Sequence, residues 1–486
     1  MYFEQFYLTC LAHASYMVGS EGVAAVVDPQ RDVEIYLQEA ARQKLRIAYV
    51  IETHLHADFV SGHKELAART GATICVGVKA GAKFPHQPMK EGEEIRIGKC
   101  VLKFQETPGH TPESMCVLVT DLERGPEPWA VLTGDTLFIG DVGRPDLAPD
   151  HTPQELAGML YDSLRQKLLT LPDHVEVYPA HGAGSLCGRN ISPERRSTIG
   201  KERAFNYALQ RMSREEFIHL LTADLPERPG YFQLDAEINR AGAAPLAELP
   251  ELPALSPDQV LREQAEGTVV LDTRPVAQFG AGHLPGSIHI ALSGQYASWA
   301  GTLIGLDRRI VLVAEDPERL QESRMRLARV GIESVIGYLE GGVVAWEHAG
   351  EPLSQVPQIS VLDLYQQLCD QPNEIQVVDV RRPMEWEAGH IAQAVLKPLS
   401  KFALNAGAGL HTLLADLNPA KPIAVHCKSG YRSSIVTSLL ERAGYHSVMN
   451  VVGGFDAWQA QKLPVERSRA AAEDAPPTQP ATAGAP

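Results

Sequence analysis

Residues 53–63 read THLHADFVSGH, and three side chains able to bind a metal, His54, His56 and Asp58, stand on alternate positions there. Phe59 follows, with no donor atom, where a loop built for two metal ions would want a fourth ligand. Four apolar runs end in a candidate ligand: AYVIET at His54 and His56, CVLKFQETPG at His110, AVLTG at Asp135 and HVEVYPA at His181. Loops at strand ends are where α/β proteins build sites, because the sheet fixes the side chain while the loop exposes it. A lone histidine is usually a surface or capping residue. Four in matching context, one of them in H-x-H-x-D, point to a metal centre. Two neutral imidazoles and a carboxylate with open positions suit non-haem Fe(II) and O2 chemistry. The same ligand types activate water on zinc in hydrolases, so ligand type alone leaves both open.

A second chemistry is written in KPIAVHCKSGYRSSIVTSLLERAG, residues 421–444. The apolar run PIAVH delivers Cys427, and RSSIVTSLLERAG has helical spacing closed by Gly444. The loop between them, with Lys428, Ser429, Gly430 and Tyr431, turns main-chain N–H groups inward at a helix N-terminus. Such a cradle lowers a thiolate pKa and holds an anion on sulfur. Arg432 is placed to complete the pocket. Cys75, Cys100 and Cys116, each in or beside an apolar run, read instead as buried structural cysteines.

The elements carrying these residues alternate short apolar runs with helical spacing, which predicts an α/β multidomain chain. Near the start, DVEIYLQEAARQKL has a helical period with Asp32 as its N-cap. Further on, VVLDTRPVAQFGAGHLPGSIHI (269–290) repeats as QVVDVRRPMEWEAGHIAQAVLK (376–397), aligning Asp272 with Asp379 and His283 with His390 at an offset of 107. LEGGVVAW (339–346) repeats as VVGGFDAW (451–458) at an offset of 112, and that offset places Glu315 opposite Cys427. A carboxylate cannot accept a sulfane sulfur, so the first copy reads as inactive. An Ala- and Pro-rich linker at 241–257 and a break at 350–360 divide the chain. The expected domains are 1–240, 254–353 and 358–465, with a disordered tail at 466–486.

The 486 residues carry 44 Lys and Arg against 60 Asp and Glu, a formal charge of −16. Such a surface repels phosphate backbones and anionic membranes, which argues against nucleic acid and membrane partners. The N-terminus lacks the basic and apolar segments of a secretory signal, and no stretch reaches the ~20 apolar residues of a membrane span. Seven widely spaced cysteines with no C-x-x-C point to a reducing, cytoplasmic setting.

The ligand pattern resembles the metallo-β-lactamase superfamily, whose H-x-H-x-D-H is followed by His, Asp and His in separate loops. The match is His54, His56, Asp58, His110, Asp135 and His181, and the departure is Phe59. In two-metal members the Asp and the last His of the first loop serve the second ion, so the resemblance with Phe59 implies one metal per chain. THLHADFVSGH, GDTLFIGDVGRPDL, YPAHGAGSLCG and TIGKERAFNYAL are similar to the persulfide dioxygenase branch rather than to glyoxalase II. That resemblance implies an N-terminal αβ/βα sandwich with Fe(II) held by His54, His110 and Asp135, and O2 as co-substrate. His56, Asp58 and His181 would orient ligands or waters around it. Arg144 matches a family arginine near the site, where a cation could hold an anionic persulfide; a simple salt bridge is the other reading.

The Cys427 segment, with DVR at 379–381, GHI at 389–391 and GGFDAW, resembles the rhodanese sulfurtransferases. Four residues separate Cys427 from Arg432, one fewer than in the related cysteine phosphatases, so the cradle suits a persulfide sulfur better than a phosphate. The order of domains resembles bacterial persulfide dioxygenase–sulfurtransferase fusions. It implies oxidation of a low-molecular-weight persulfide, of glutathione, coenzyme A or a similar thiol, to sulfite, with sulfur transfer giving thiosulfate and a role in sulfide detoxification. Two rivals stand beside it: a zinc thioester hydrolase of glyoxalase II type, and a rhodanese carrier delivering sulfur to a partner protein. A homo-oligomer is left open.

Overall fold

The computed structural model describes residues 1–404 and 407–467; the tail expected at 466–486 lies outside the described residues from 468 on. The chain divides into two compact units. The first comprises Met1–Glu251, Ala297–Thr302 and Arg324–Glu333; the second comprises Leu252–Tyr296, Leu303–Ser323 and Ser334 onward.

The first unit is built on two six-stranded sheets. One runs in sequence order through Tyr2–Leu8, His13–Ser20, Val23–Val27, Arg46–Glu52, Thr73–Gly77 and Gln87–Met89. It is antiparallel up to Val23–Val27 and parallel beyond. The other orders Ser197–Thr198, Glu176–Pro179, Ala130–Gly134, Met115–Asp121, Cys100–Glu106 and Glu94–Ile97. Tyr16, Val18, Val27 and Ile51 of the first sheet share one core with Leu102, Phe104, Val117 and Leu132 of the second. The outer faces are also covered. Met17, Ala24, Val26 and Val50 pack with Tyr36, Ala40 and Leu66 of helices Glu34–Gln43 and His63–Thr70. Cys116, Leu118 and Val131 pack with Leu160, Leu164 and Phe217 of helices Pro153–Gln166 and Arg214–Thr222. Burial on both faces explains why the central strands, such as Val23–Val27 and Ala130–Gly134, read as unbroken apolar runs, whereas the edge strand Glu94–Ile97 alternates.

Helix Pro153–Gln166 starts at a complete capping box between Thr152 and Glu155, a device worth about 1 kcal/mol. Asp32 does not cap the helix expected at 32–45. Val33 stands at the N-cap with no side-chain bond, and the Asp32 carboxylate instead takes a forked pair from Arg329 at 2.8 Å. A charge-assisted fork outcompetes a neutral main-chain donor.

The second unit holds two five-stranded sheets, all parallel, with the same strand order. The first runs Ala254–Leu255, Val335–Leu339, Ile310–Val313, Val269–Asp272, Ile288–His289; the second Gln358–Ile359, Val448–Val451, Ile423–His426, Gln376–Asp379, Ala394–Leu396. The repetition extends to single bonds. Arg274 Nη2 reaches Asp272 Oδ2 at 2.6 Å and the Gly282 carbonyl at 2.8 Å; Arg381 does the same to Asp379 and Gly389 at identical distances. Trp346 Nε1 donates to the Pro352 carbonyl at 2.9 Å and Trp458 Nε1 to that of Pro464 at 2.8 Å.

Strand register corrects one expectation. Asp272 pairs with Val313 and Asp379 with His426, so Ala314, not Glu315, stands opposite Cys427. The cause is a bulge: Ile310 pairs with Val335 but Val311 with Gly337, so Ile336 is an extra residue in that strand. The second copy has none there, since Ile423 and Ala424 pair with Val448 and Met449. An offset of 112 taken from the segment after the bulge therefore slips by one residue before it. The first copy still lacks the thiol.

Candidate functional site

A nitrogen of His54, a nitrogen of His110 and an oxygen of Asp135 lie within 4.8 Å of one another, all three residues buried. Local partners decide which atoms face the centre. Thr53 Oγ1 donates to Asp28 Oδ2 at 2.9 Å, so it accepts from His54 Nδ1, 3.0 Å away, and the His54 Nε2 lone pair is left free. His110 Nδ1 donates to the Arg144 carbonyl at 2.9 Å. Its Nε2 lies 3.3 Å from Asp135 Oδ2, and His54 Nε2 lies 3.8 Å from the same oxygen. Asp135 spends its other oxygen on His181 Nδ1 at 2.8 Å. Gly143 permits the close approach, since a Cβ there would sit 2.9 Å from His110 Nδ1 and 2.0 Å from the Asp135 carbonyl.

The three atoms left over, His54 Nε2, His110 Nε2 and Asp135 Oδ2, are buried without a hydrogen-bond partner. Two lone pairs and a carboxylate oxygen facing one another in a dry interior are costly unless a cation sits among them. The donor set fits one divalent transition metal. Electrostatics keep the donors ready. Burial, then the neighbouring His56, push His54 well below the usual imidazole range, and burial lowers His110. Burial opposes the charge of Asp135, yet His181 and His110 hold its carboxyl well below the usual range.

The surrounding residues form an adjoining cluster. His56, Asp58 and His181 also offer donor atoms within 4.8 Å of one another. His181 Nε2 lies 2.9 Å from Asp58 Oδ2, placing the ring between two carboxylates. Burial alone would lower its pKa, but Asp135 and Asp58 raise it well above the ordinary value. His56 Nε2 turns to Asp28 Oδ1 at 3.2 Å. Phe59 is wholly buried, its ring centroid 4.4 Å from that of His56 and 4.1 Å from that of His13. The Arg144 guanidinium is taken up by Asp146 at 2.7 and 2.8 Å and by the Leu186 and Pro226 carbonyls, so its link to the centre is its own carbonyl on His110.

Three residues here escaped the sequence. His13 lies against Phe59 with both ring nitrogens unpartnered. Cys187 joins Asp135 and His181 within 4.8 Å, and burial pushes its thiol well up. Asn239 donates Nδ2 to the His56 and Phe59 carbonyls at 2.7 Å each and accepts from Ser61 N at 2.8 Å, clamping the metal loop. Cys187 had a signal, six residues after His181 in YPAHGAGSLCG; His13 and Asn239 had none.

In the second unit Cys427 is 1% exposed at the end of strand Ile423–His426. Its Sγ accepts from Gly430 N at 3.1 Å and from Ser433 Oγ at 3.5 Å. The loop rests on Gly454 (φ +53), where a Cβ would lie 2.5 Å from the Cys427 carbonyl and 2.7 Å from that of Lys428. Lys428 and Ser429 are exposed at the mouth, and the Tyr431 hydroxyl donates to the Ala291 carbonyl at 3.0 Å. Arg432 is forked onto Glu385, 2.7 Å on each arm. Burial would raise the Glu385 pKa, but Arg432 holds it down at about 2.

Comparison with known proteins places the domains in families. Residues 8–181 match the metallo-beta-lactamase superfamily, and residues 256–349 and 361–461 each match the rhodanese-like domain. A crystal structure of a metallo-beta-lactamase from Staphylococcus aureus superposes with a TM-score of 0.63 at 30% identity, covering 70% of this chain and 98% of that one. The mitochondrial persulfide dioxygenase ETHE1 of Bos taurus is 30% identical over 204 residues, 41% of this chain and 70% of that protein. A hydroxyacylglutathione hydrolase of Polaromonas is 34% identical over 163 residues, 33% of this chain and 57% of that protein. The chain belongs to the metallo-beta-lactamase superfamily through its N-terminal domain, which is followed by two rhodanese-like domains. Within the superfamily it has persulfide dioxygenases among its homologues, and its architecture is that of a fusion between such a domain and a rhodanese pair. Among the described residues no helix is long and apolar enough to cross a membrane.

Proposed function

We propose that the chain is a persulfide dioxygenase joined to a sulfurtransferase. The observation that carries the reading is the set His54 Nε2, His110 Nε2 and Asp135 Oδ2, buried and facing one another without hydrogen-bond partners, beside a buried phenyl ring where the resemblance would place a ligand for a second metal. One Fe(II) held by these three atoms would supply the open positions and redox capacity that join a persulfide sulfur to O2. The balance is RSSH + O2 + H2O → RSH + SO3²⁻ + 2 H⁺, so the site must admit water and release protons. His181, between Asp135 and Asp58, is the group placed to hold a proton at Nε2 and pass it to Asp58. The buried walls around it keep the persulfide from bulk thiols.

At the second site the Cys427 thiolate attacks the outer sulfur of a second persulfide, giving Cys–S–S⁻ and RSH. Sulfite then takes that sulfur, so that Cys–S–S⁻ + SO3²⁻ → Cys–S⁻ + S2O3²⁻. Gly430 N–H and the helix N-terminus stabilise the anion in both states. A persulfide of glutathione, coenzyme A or a similar thiol is the substrate class. The test is oxygen uptake by iron-loaded protein given glutathione persulfide, with sulfite and thiosulfate measured; absence of uptake refutes the dioxygenase half. The hydrolase relative motivates a thioesterase reading, which predicts two zinc ions per chain and cleavage of a glutathione thioester. Phe59 stands against it.

A further inference from the structure

The copy without a thiol grips the helix that follows Cys427 at three levels. At its start, Tyr431, the last residue before Arg432 in the cradle, sends its hydroxyl to the Ala291 carbonyl at 3.0 Å. Its ring lies flat on Gly294, where a Cβ would come within 2.5–2.8 Å of ring carbons, so no larger residue fits without displacing the tyrosine. One turn on, Ser434 Oγ meets His289 Nδ1 at 2.8 Å, and His289 N donates to Ser438 Oγ at 3.0 Å. The direction is fixed, because His289 Nε2 donates to the Arg274 carbonyl at 2.8 Å and Nδ1 must therefore accept. At the far end, His283 Nε2 lies 3.0 Å from Glu441 Oε2, and Arg442 Nη1 donates to the Gly286 carbonyl at 2.9 Å.

These anchors bracket the chemistry. Tyr431 follows Gly430, whose N–H reaches the Cys427 sulfur, and Ser434 follows Ser433, whose hydroxyl reaches it too. Gly430 sits at φ +104, a conformation open to glycine, and its backbone freedom must be restrained if its N–H is to stay on the sulfur. A loop that presents donors to a developing anion works only if they are fixed beforehand. We infer that the inactive rhodanese-like copy is a template for the active one: Tyr431 and Ser434, held by Ala291, Gly294 and His289, are positioning residues that keep the Gly430 and Ser433 donors on the Cys427 sulfur. This deepens the sulfurtransferase reading of Cys427 and rests on it for its meaning.

The experiment uses the full chain and the variants Tyr431→Phe, Tyr431→Ala and Ser434→Ala. The thiolate pKa of Cys427 is read from the pH dependence of iodoacetamide alkylation, followed by mass spectrometry of the peptide containing Cys427. Sulfur transfer is read with thiosulfate as donor and cyanide as acceptor. Tyr431→Ala and Ser434→Ala should raise the alkylation pKa by about half to one unit. They should lower kcat by about five- to twentyfold, leave KM for thiosulfate within about twofold, and Tyr431→Phe should fall between them and wild type. Oxygen uptake, which does not use Cys427, should be unchanged, and a wild-type circular-dichroism spectrum shows that the variants are folded. Variants that lose thermal stability alone, with alkylation pKa and kcat at wild-type values, would overturn the inference. Failure of the sulfurtransferase reading shows separately, as wild-type protein that forms no cyanide-reactive sulfur, and the alkylation pKa still decides the positioning role.

Discussion

Phe59 packs against both His13 and His56, whose own ring centroids lie 5.8 Å apart, and His56, Asp58 and His181 have donor atoms close together nearby. A histidine in its place would restore the ligand that a second ion lacks. Phe59→His is therefore expected to raise bound metal from about one towards two per chain, read by element analysis, and to favour zinc over iron. Glu385 gives a prediction in pH. Its carboxyl is held at about 2 against an ordinary 4.5, so the fork to Arg432 stabilises the fold fully above about pH 4.5 and is lost as pH falls through about 2. Glu385→Gln should lower unfolding free energy by about 1–2 kcal/mol at pH 7, discounted for partial exposure, with the gap to wild type closing between pH 4.5 and 2 in urea titrations. At this scale the sequence was legible wherever spacing is local: H-x-H-x-D and the Cys427–Arg432 loop are each carried by one short stretch. Glu385, His13 and Asn239 arrive from segments 47, 41 and 183 positions away from Arg432, His54 and His56, and no local pattern announces such a meeting.

Elements explain why the loop at 53–63 can hold an ordered site. Strand Arg46–Glu52 delivers it and helix His63–Thr70 ends it; between them Met115 N, on strand Met115–Asp121, ties the Thr53 carbonyl at 2.8 Å, and the segment beyond is held largely by side chains and other loops. Asn239, on helix Phe232–Ala241, supplies three of those bonds. Asn239→Ala leaves Ser61 N and the His56 and Phe59 carbonyls buried without that partner, at a cost of about 2–3 kcal/mol. It should melt several degrees lower and lose metal faster to a chelator than wild type, with amide exchange quickening across 53–63; unchanged metal release would show that the strand end alone fixes the loop. The repeat was visible in sequence because the same side chains close the same turns, as Asp272–Arg274 and Asp379–Arg381 do. The bulge at Ile336 was not visible, because an extra residue in a strand changes hydrogen-bond register without changing composition. That is how Glu315 came to stand where Ala314 belongs.

At the scale of the molecule, the two chemistries share a currency rather than a residue. The donor set at His54, His110 and Asp135 and the cradle at Cys427 have no side chain in common, so each can be silenced alone. Asp135→Asn removes a charged metal donor and changes the bond to His181; iron per chain and oxygen uptake should fall to background, while transfer of sulfur from thiosulfate to cyanide stays within about twofold of wild type. Cys427→Ser should do the reverse: oxygen uptake persists, but the product changes from thiosulfate to sulfite, because nothing remains to hold the second sulfur. Mixing the two variants tests whether fusion matters. If sulfite made on one chain must diffuse to Cys427 on another, thiosulfate formation should become concentration-dependent and fall when sulfite is trapped, whereas wild type resists the trap through the high effective concentration of two sites on one chain. Equal sensitivity of wild type and mixture to the trap would mean that the fusion fixes stoichiometry and confers no advantage in transfer.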